Sequence, residues 1–376
     1  MSATREKFPL WLHPSGQWCK KSKGRFYYFG TDKEAALKEF VRVWDDLKAG
    51  RTPPAKAEDA LTLTDLVNVY LTHKKGEIKK GEFSLSGWKS LRIASESLLE
   101  RVGKGRTVES LKPKDFISLG THLSERYAPA SQKINIAYIK SLFNFAFDND
   151  LIPAPVRFGD ALTAPSQKAM RLEKDKKPAK LLSAGDIRKL LSVADPCMKA
   201  LILLGLNGAL GASDLARLTF EDLEKEPGWI VSLRNKTAAK RRIPLWGETV
   251  AAIDEARKCR PQEKSPEHAR TLFITARGLP LVTVRENCVC DSVSKSFHKL
   301  AKTAGVKLPK GSGFYCLRHV FRTAADELSD RRAIDRIMGH SSPSDMSSHY
   351  VERIDDMRLL LVVEHVHDWL FSATAI

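Results

Sequence analysis

From Leu61 to Asp150 apolar residues recur at three-and-four spacing through four successive segments, LTDLVNVYLTHKK, SGWKSLRIASESLLERV, KPKDFISLGTHLSERY and SQKINIAYIKSLFNFAFDND. A helical period held over four runs, broken only by short polar turns, leaves little room for anything but a compact helical bundle. Thr62 or Thr64, Ser84 or Ser86, Pro113 and Ser131 are the expected helix starts. The run Thr52-Pro53-Pro54-Ala55-Lys56 before the bundle reads as a linker. So do residues 153–180 after it, which hold four prolines and a charged run from Arg171 to Lys180 without helical or strand period.

The flanks differ from this middle. Residues 8–30 alternate apolar and polar positions around Ser15-Gly16 and Ser22-Lys23-Gly24, the pattern of a short antiparallel ribbon. A helix capped at Thr31, with Glu34 in capping-box position, should run from there to Gly50. After residue 180 a helix starts at Ser183, with Asp186 three residues on. Apolar helices then lead to two or three strands, GWIVSLRN and AKRRIPLW, and helices return from Thr249 to the end. The expected class is mainly α with small antiparallel β-sheets. The expected divisions are 1–51, linker 52–60, 61–152, linker 153–180, 181–352 and a C-terminal helix and tail over 353–376.

Charge narrows the partners. Against 45 Asp and Glu stand 62 Lys and Arg, a net +17, which points to a polyanion. The longest apolar runs fall well short of the ~20 residues needed to span a bilayer. The N-terminus lacks an apolar core of signal-peptide length, so an intracellular, DNA-associated protein is expected. Six scattered cysteines do not form a disulfide framework, and Cys288-Val289-Cys290 has the wrong spacing for a zinc hook; reduced thiols, no metal and no cofactor are expected. On the ribbon, Lys20, Lys21, Lys23 and Arg25 interleave with Trp18, Phe26 and Tyr27, as a DNA-groove ribbon would require and as an ordinary solvated hairpin also permits.

The stretch from Gly313 to Tyr350, GFYCLRHVF followed by RAIDRIMGHSSPSDMSSHY, gathers Arg318, His319, His340 and Tyr350. A guanidinium fork pairs phosphate oxygens, an imidazole hydrogen-bonds, and a phenol can attack phosphorus to form an ester. Singly, each residue has an ordinary reading as part of a core helix or a surface ion pair. Together, Tyr315-Cys316-Leu317-Arg318-His319 resembles the second motif box of the tyrosine recombinases, the bacteriophage integrase family. Ile337-Met338-Gly339-His340 followed by His349-Tyr350 resembles its last motif and nucleophile, at fitting spacing.

This resemblance implies a DNA breaking-rejoining catalytic domain over 181–352, a helical core-binding domain over 61–152 and an arm-binding ribbon at the N-terminus. It implies site-specific cutting and rejoining of double-stranded DNA through a 3′-phosphotyrosyl bond, without metal or cofactor. Four copies would act on paired duplexes, with a free monomer allowed. By match of position, Tyr350 would be the nucleophile, Arg318 the phosphate clamp, His340 a donor to phosphate and Lys236, in Asn235-Lys236-Thr237, the general acid. Lys240, Arg241, Arg242 and His319 would add DNA contacts, and Arg322 is a reserve for Arg318.

The chain departs from the family pattern twice. Gly211 stands where the first-box arginine belongs, three residues before Asp214. Tyr315 stands where histidine or lysine is usual; as the catalytic residue at that position its phenol can donate a hydrogen bond to phosphate but stays neutral near pH 7. Arg217, Arg234 or Arg322 could supply the missing charge. Two rivals remain: a DNA-binding or architectural protein on the same fold that does not cut, and a type IB topoisomerase-like relaxing enzyme.

Overall fold

The computed structural model describes residues 8–22, 24–49, 60–234, 238–284, 289–340 and 353–372. It divides into two units, 1–170 and 171–376.

In the first unit, β1 (Trp11–Leu12), β2 (Trp18–Ser22) and β3 (Arg25–Tyr28) form an antiparallel sheet in chain order. Lys20 lies opposite Tyr27 and Lys21 opposite Phe26. Helix α1 (Lys33–Ala49) packs beside the sheet over a core of Leu10, Phe29, Ala36, Phe40 and Val43. Its cap is Asp32 rather than Thr31. The Asp32 carboxylate accepts from the amides of Glu34 and Ala35, and an ionised acceptor at a helix start competes well against a hydroxyl.

The bundle follows as α2 (Leu63–Lys80), α3 (Leu85–Val102), α4 (Ile117–Arg126) and α5 (Pro129–Asp148). Thr62 and Asp65 form a capping box and Ser84 caps α3, as the sequence predicts. α5 starts at Pro129, two residues before Ser131, because proline at the first turn needs no hydrogen-bond acceptor. Leu63, Leu66, Leu91, Leu98, Phe116, Leu119, Leu123, Ile139 and Phe143 fill the interior.

Residues 153–180 are not one linker. Leu162 is buried in the bundle core, and Phe158 sits edge-on to Phe116 and Phe143 at 5.1 and 5.5 Å. The chain crosses so close to α4 that a Cβ on Gly120 would lie 2.1 Å from the Ala161 carbonyl oxygen. Single apolar residues between prolines carry no period, so this packing was invisible to periodicity. Helix α6 (Gln167–Asp175) then spans the boundary between the units with no side chain buried.

The second unit is built around α8 (Pro196–Asn207), buried over nearly its whole length. Around it lie α7 (Ala184–Val193), the short turns α9 (Ala212–Leu215) and α10 (Glu221–Glu224), and the hairpin β4 (Trp229–Leu233) with β5 (Lys240–Pro244). Then come α11 (Gly247–Lys258), a second hairpin β6 (Val282–Val284) with β7 (Val289–Asp291), α12 (Ser292–Thr303), α13 (Cys316–Ala325), α14 (Arg331–Met338) and α15 (Asp356–Phe371). The second hairpin replaces expected helix; three-residue strands are too short to show alternation. Asn207, fully buried, donates to the Pro244 carbonyl at 2.8 Å and accepts from the Trp246 amide at 2.9 Å, pinning the end of β5 to α8.

Helix α15 packs on its own unit through Leu359, Val362, Val363, Val366 and Leu370. Met357 and Leu361 are 62% and 61% exposed. The buried stripe runs i, i+3, i+4, i+7, i+11. The Trp246 indole donates to the Val363 carbonyl, and Arg358 grips the Asp330 carboxylate through two 2.7 Å bonds. Among the described residues no helix is long and apolar enough to cross a membrane.

Candidate active site

Arg318 is 3% exposed. Its neighbours Leu317, Val320 and Phe321 face the core of the second unit, and that face carries Arg318 inward. The guanidinium donates to the Ala209 carbonyl, to the Met338 carbonyl at 3.0 Å and to His340 Nε2 at 2.7 Å. Among the described residues it has no carboxylate partner. Burial first, and then the nearby charges of Arg234 and Arg241, push its pKa down to about 10.

His340 follows Gly339, which ends α14 in the left-handed conformation with φ 65°. A Cβ there would lie 2.6 Å from Arg241 Nε and 3.1 Å from Arg234 Cβ, so glycine is needed both for the turn and for the approach of the arginines. A guanidinium offers no lone pair, so Nε2 of His340 is the acceptor of the Arg318 bond and the ring proton sits on Nδ1. That nitrogen faces Asp335 Oδ1 at 3.2 Å. Burial and the Arg318 charge hold the imidazole below its ordinary pKa, while Asp335 works against them. His340 should therefore titrate below ~6.5 in an NMR pH series. In Asp335→Asn it should titrate lower still; a midpoint above the ordinary imidazole value in either protein would contradict this geometry.

Arg241 is 2% exposed and was expected on DNA. Instead it forms a two-pronged pair with Asp214, at 3.0 and 3.1 Å, and donates to the Met338 carbonyl. Burial would raise the Asp214 carboxyl, but Arg241, the Gly211 amide and Arg318 together hold it below the ordinary range. Arg242 is likewise turned away from solvent partners. It bridges Glu226 and Asp356 and stacks on the Trp229 ring at 4.2 Å. Both positions read as basic surface in the sequence because their carboxylate partners lie up to 114 residues away. Lys240 and His319 remain exposed.

The two departures from the family pattern touch each other. A Cβ on Gly211 would meet the Tyr315 ring at 3.4 and 3.5 Å, so the phenol lies over the place from which an arginine side chain would rise. Tyr315 is 53% exposed and stands edge-on to His319 at 5.7 Å. Of the candidate substitutes for the missing cation, Arg322 pairs with Asp326 at 2.7 Å and Arg217 is exposed. Arg234 donates to the Gly339 carbonyl at 3.3 Å, beside His340. Lys236 and Tyr350 lie outside the described residues, as does Lys23.

On the ribbon, Lys20 donates to the Pro9 carbonyl at 2.8 Å and lies 5.7 Å from the Phe40 ring centroid, which commits it to its own fold. Lys21 and Arg25 are exposed, with Lys21 over Phe26 at 5.0 Å.

Guanidinia and an imidazole converging on the turn Met338-Gly339-His340 make a site for an oxyanion on a mainly helical fold with small sheets. Residues 180–356 match the phage integrase family, and over a longer span the chain is similar to tyrosine recombinases. It is 25% identical to the tyrosine recombinase XerC of Myxococcus xanthus, over 60% of this chain and 72% of that one. It is 28% identical to XerA of Pyrococcus horikoshii, over 58% and 68%. A lambda integrase tetramer bound to a Holliday junction has the same fold, with TM-score 0.57 at 15% identity over 94% of this chain and all of that one. The Tn1549 transposon integrase in complex with transposon right-end DNA gives 0.56 at 20% identity over 82% of this chain.

Proposed function

We propose that this protein is a site-specific recombinase that cuts and rejoins double-stranded DNA through Tyr350. The Tyr350 oxygen bonds to the scissile phosphorus and its proton leaves to solvent. The bond from phosphorus to the 5′-oxygen breaks, and Lys236 gives that oxygen a proton. The phosphoester is retained as a 3′-phosphotyrosine, and a 5′-hydroxyl from another strand reverses the step. Arg318 and His340 hold the non-bridging oxygens. The observation that carries this reading is the buried Arg318, without a carboxylate partner among the described residues and in contact with His340. A cation so placed raises the energy of the folded chain unless an anion is to be bound.

Charge and the similarity to tyrosine recombinases support DNA as the partner, with Lys21, Arg25, Lys240 and His319 as solvent-facing contacts. Four copies assembling on paired duplexes is the corresponding assembly, and the site of action is DNA in the cytoplasm, at the nucleoid. The test uses the full chain and a nicked suicide duplex built on the sequence that the protein selects from a random duplex pool. Wild type should form a detergent-resistant covalent adduct, and Tyr350→Phe none. Selection of a sequence with no wild-type adduct would leave a DNA-binding protein that does not cut. Relaxation of one supercoiled plasmid without recombinant products would place it with the relaxing enzymes.

A further inference from the structure

The charge around the turn Met338-Gly339-His340 does not balance. Three guanidinia approach it: Arg318 and Arg241 on the Met338 carbonyl, and Arg234 on the Gly339 carbonyl. Asp214 faces this group and is matched by Arg241 through both oxygens. The other acid at the turn, Asp335, serves His340 and Arg331. Among the described residues neither Arg318 nor Arg234 is ion-paired with a carboxylate; Asp214 acts on Arg318 only through space, and the two guanidinia near one imidazole repel each other until an anion joins them.

We propose that Arg234 is the second phosphate-binding cation of this recombinase, supplied from the β4–β5 hairpin in place of the side chain that Gly211 lacks. The proposal rests on the strand-cutting reading above. Arg234 is half-buried, and its backbone closes the hairpin neck: its amide donates to the Ala239 carbonyl at 2.9 Å and its carbonyl accepts from Ala238 at 2.8 Å. A donor on a closed neck is held in place before substrate arrives, as transition-state stabilisation requires. It is two residues along the sequence from Lys236, the proposed general acid. Its charge reaches both Arg318 and His340, opposing protonation of each. Arg241 has the opposite role. Buried and bound to Asp214, it steadies the turn and contacts no substrate.

Gly211 has φ −88° and ψ 167°, ordinary extended backbone, so glycine is not required there by conformation. Tyr315 is exposed enough to swing aside. Restoring an arginine at Gly211 is therefore a clean rescue.

The adduct assay above, with the cut position mapped on wild type, decides the matter. Arg234→Ala should form adduct about 10²- to 10³-fold more slowly than wild type. Its rate should recover on a duplex whose scissile phosphate is a methylphosphonate, which has one anionic oxygen fewer to stabilise. A purely structural defect would not recover. The Gly211→Arg, Arg234→Ala double variant should regain much of the rate on the ordinary phosphate. Wild-type rates in Arg234→Ala, or a loss that neither methylphosphonate nor Gly211→Arg restores, would overturn the assignment while leaving the recombinase reading intact. Absence of any adduct from wild type would overturn both.

Discussion

Arg318→Met should lower the rate of covalent adduct formation by ~10²–10³ while shifting the unfolding temperature by only a few degrees. One oxyanion donor fixed in advance is worth roughly 2.7–4 kcal/mol of transition-state energy. The effect on stability is small because two effects oppose each other. Removing the side chain deprives the Ala209 and Met338 carbonyls of a donor, at about 1 kcal/mol each. It also removes a buried cation whose charged form the fold disfavours, as its depressed pKa of about 10 reports. Single-turnover cleavage and a thermal melt on the same preparation check both halves. Undiminished cleavage would remove Arg318 from the reaction, and a large fall in melting temperature would make it a structural residue.

Arg241→Ala should do the reverse, although Arg241 shares the Met338 carbonyl with Arg318. Its removal leaves the partly buried Asp214 carboxylate without its partner, and breaking a buried pair from one side costs about 3–5 kcal/mol. For a unit of this size that lowers the melting temperature by roughly 6–20 °C. The defect should depend on pH. In wild type the Asp214 pKa is depressed, so its contribution is present above the unfolded value of ~3.9 and is lost as pH falls through the folded one. In the variant, burial without Arg241 raises the folded pKa. The protonated carboxyl then suits the fold, and stability is lost as pH rises through that raised value. The gap between the two proteins should narrow from neutral pH toward about pH 4.5. A gap independent of pH would mean that the loss comes from the Met338 bonds and packing rather than from Asp214.

These two arginines show where reading the chain as a string succeeds and fails. The contact of Arg318 with His340 was legible because both lie in short motifs, Tyr315 to His319 and Ile337 to His340, at a fixed separation. Arg241 and Arg242 were misread as DNA contacts. In AKRRIPLW they look like a basic strand, and nothing nearby reveals Asp214, Glu226 or Asp356 as their partners. The same limit hid the packing of Phe158 and Leu162 on the bundle. Helix caps carried by one side chain, at Thr62, Ser84 and Ser183, were legible because the hydrogen bond spans three residues.

The sequence by itself determined the elements that depend on neighbours in the chain: the helical period, the caps at Thr62, Ser84 and Ser183, the first hairpin of the second unit and the motif residues at their spacing. It also showed that the first-box arginine is missing at Gly211. Only the tertiary structure decided what stands in that space, laying the Tyr315 ring over Gly211 and bringing Arg241 and Arg234 from the hairpin to the turn before His340. The reason is range. Periodicity and capping act over three or four residues, whereas the charge at a point in space sums over every side chain the fold brings there, whatever its distance along the chain.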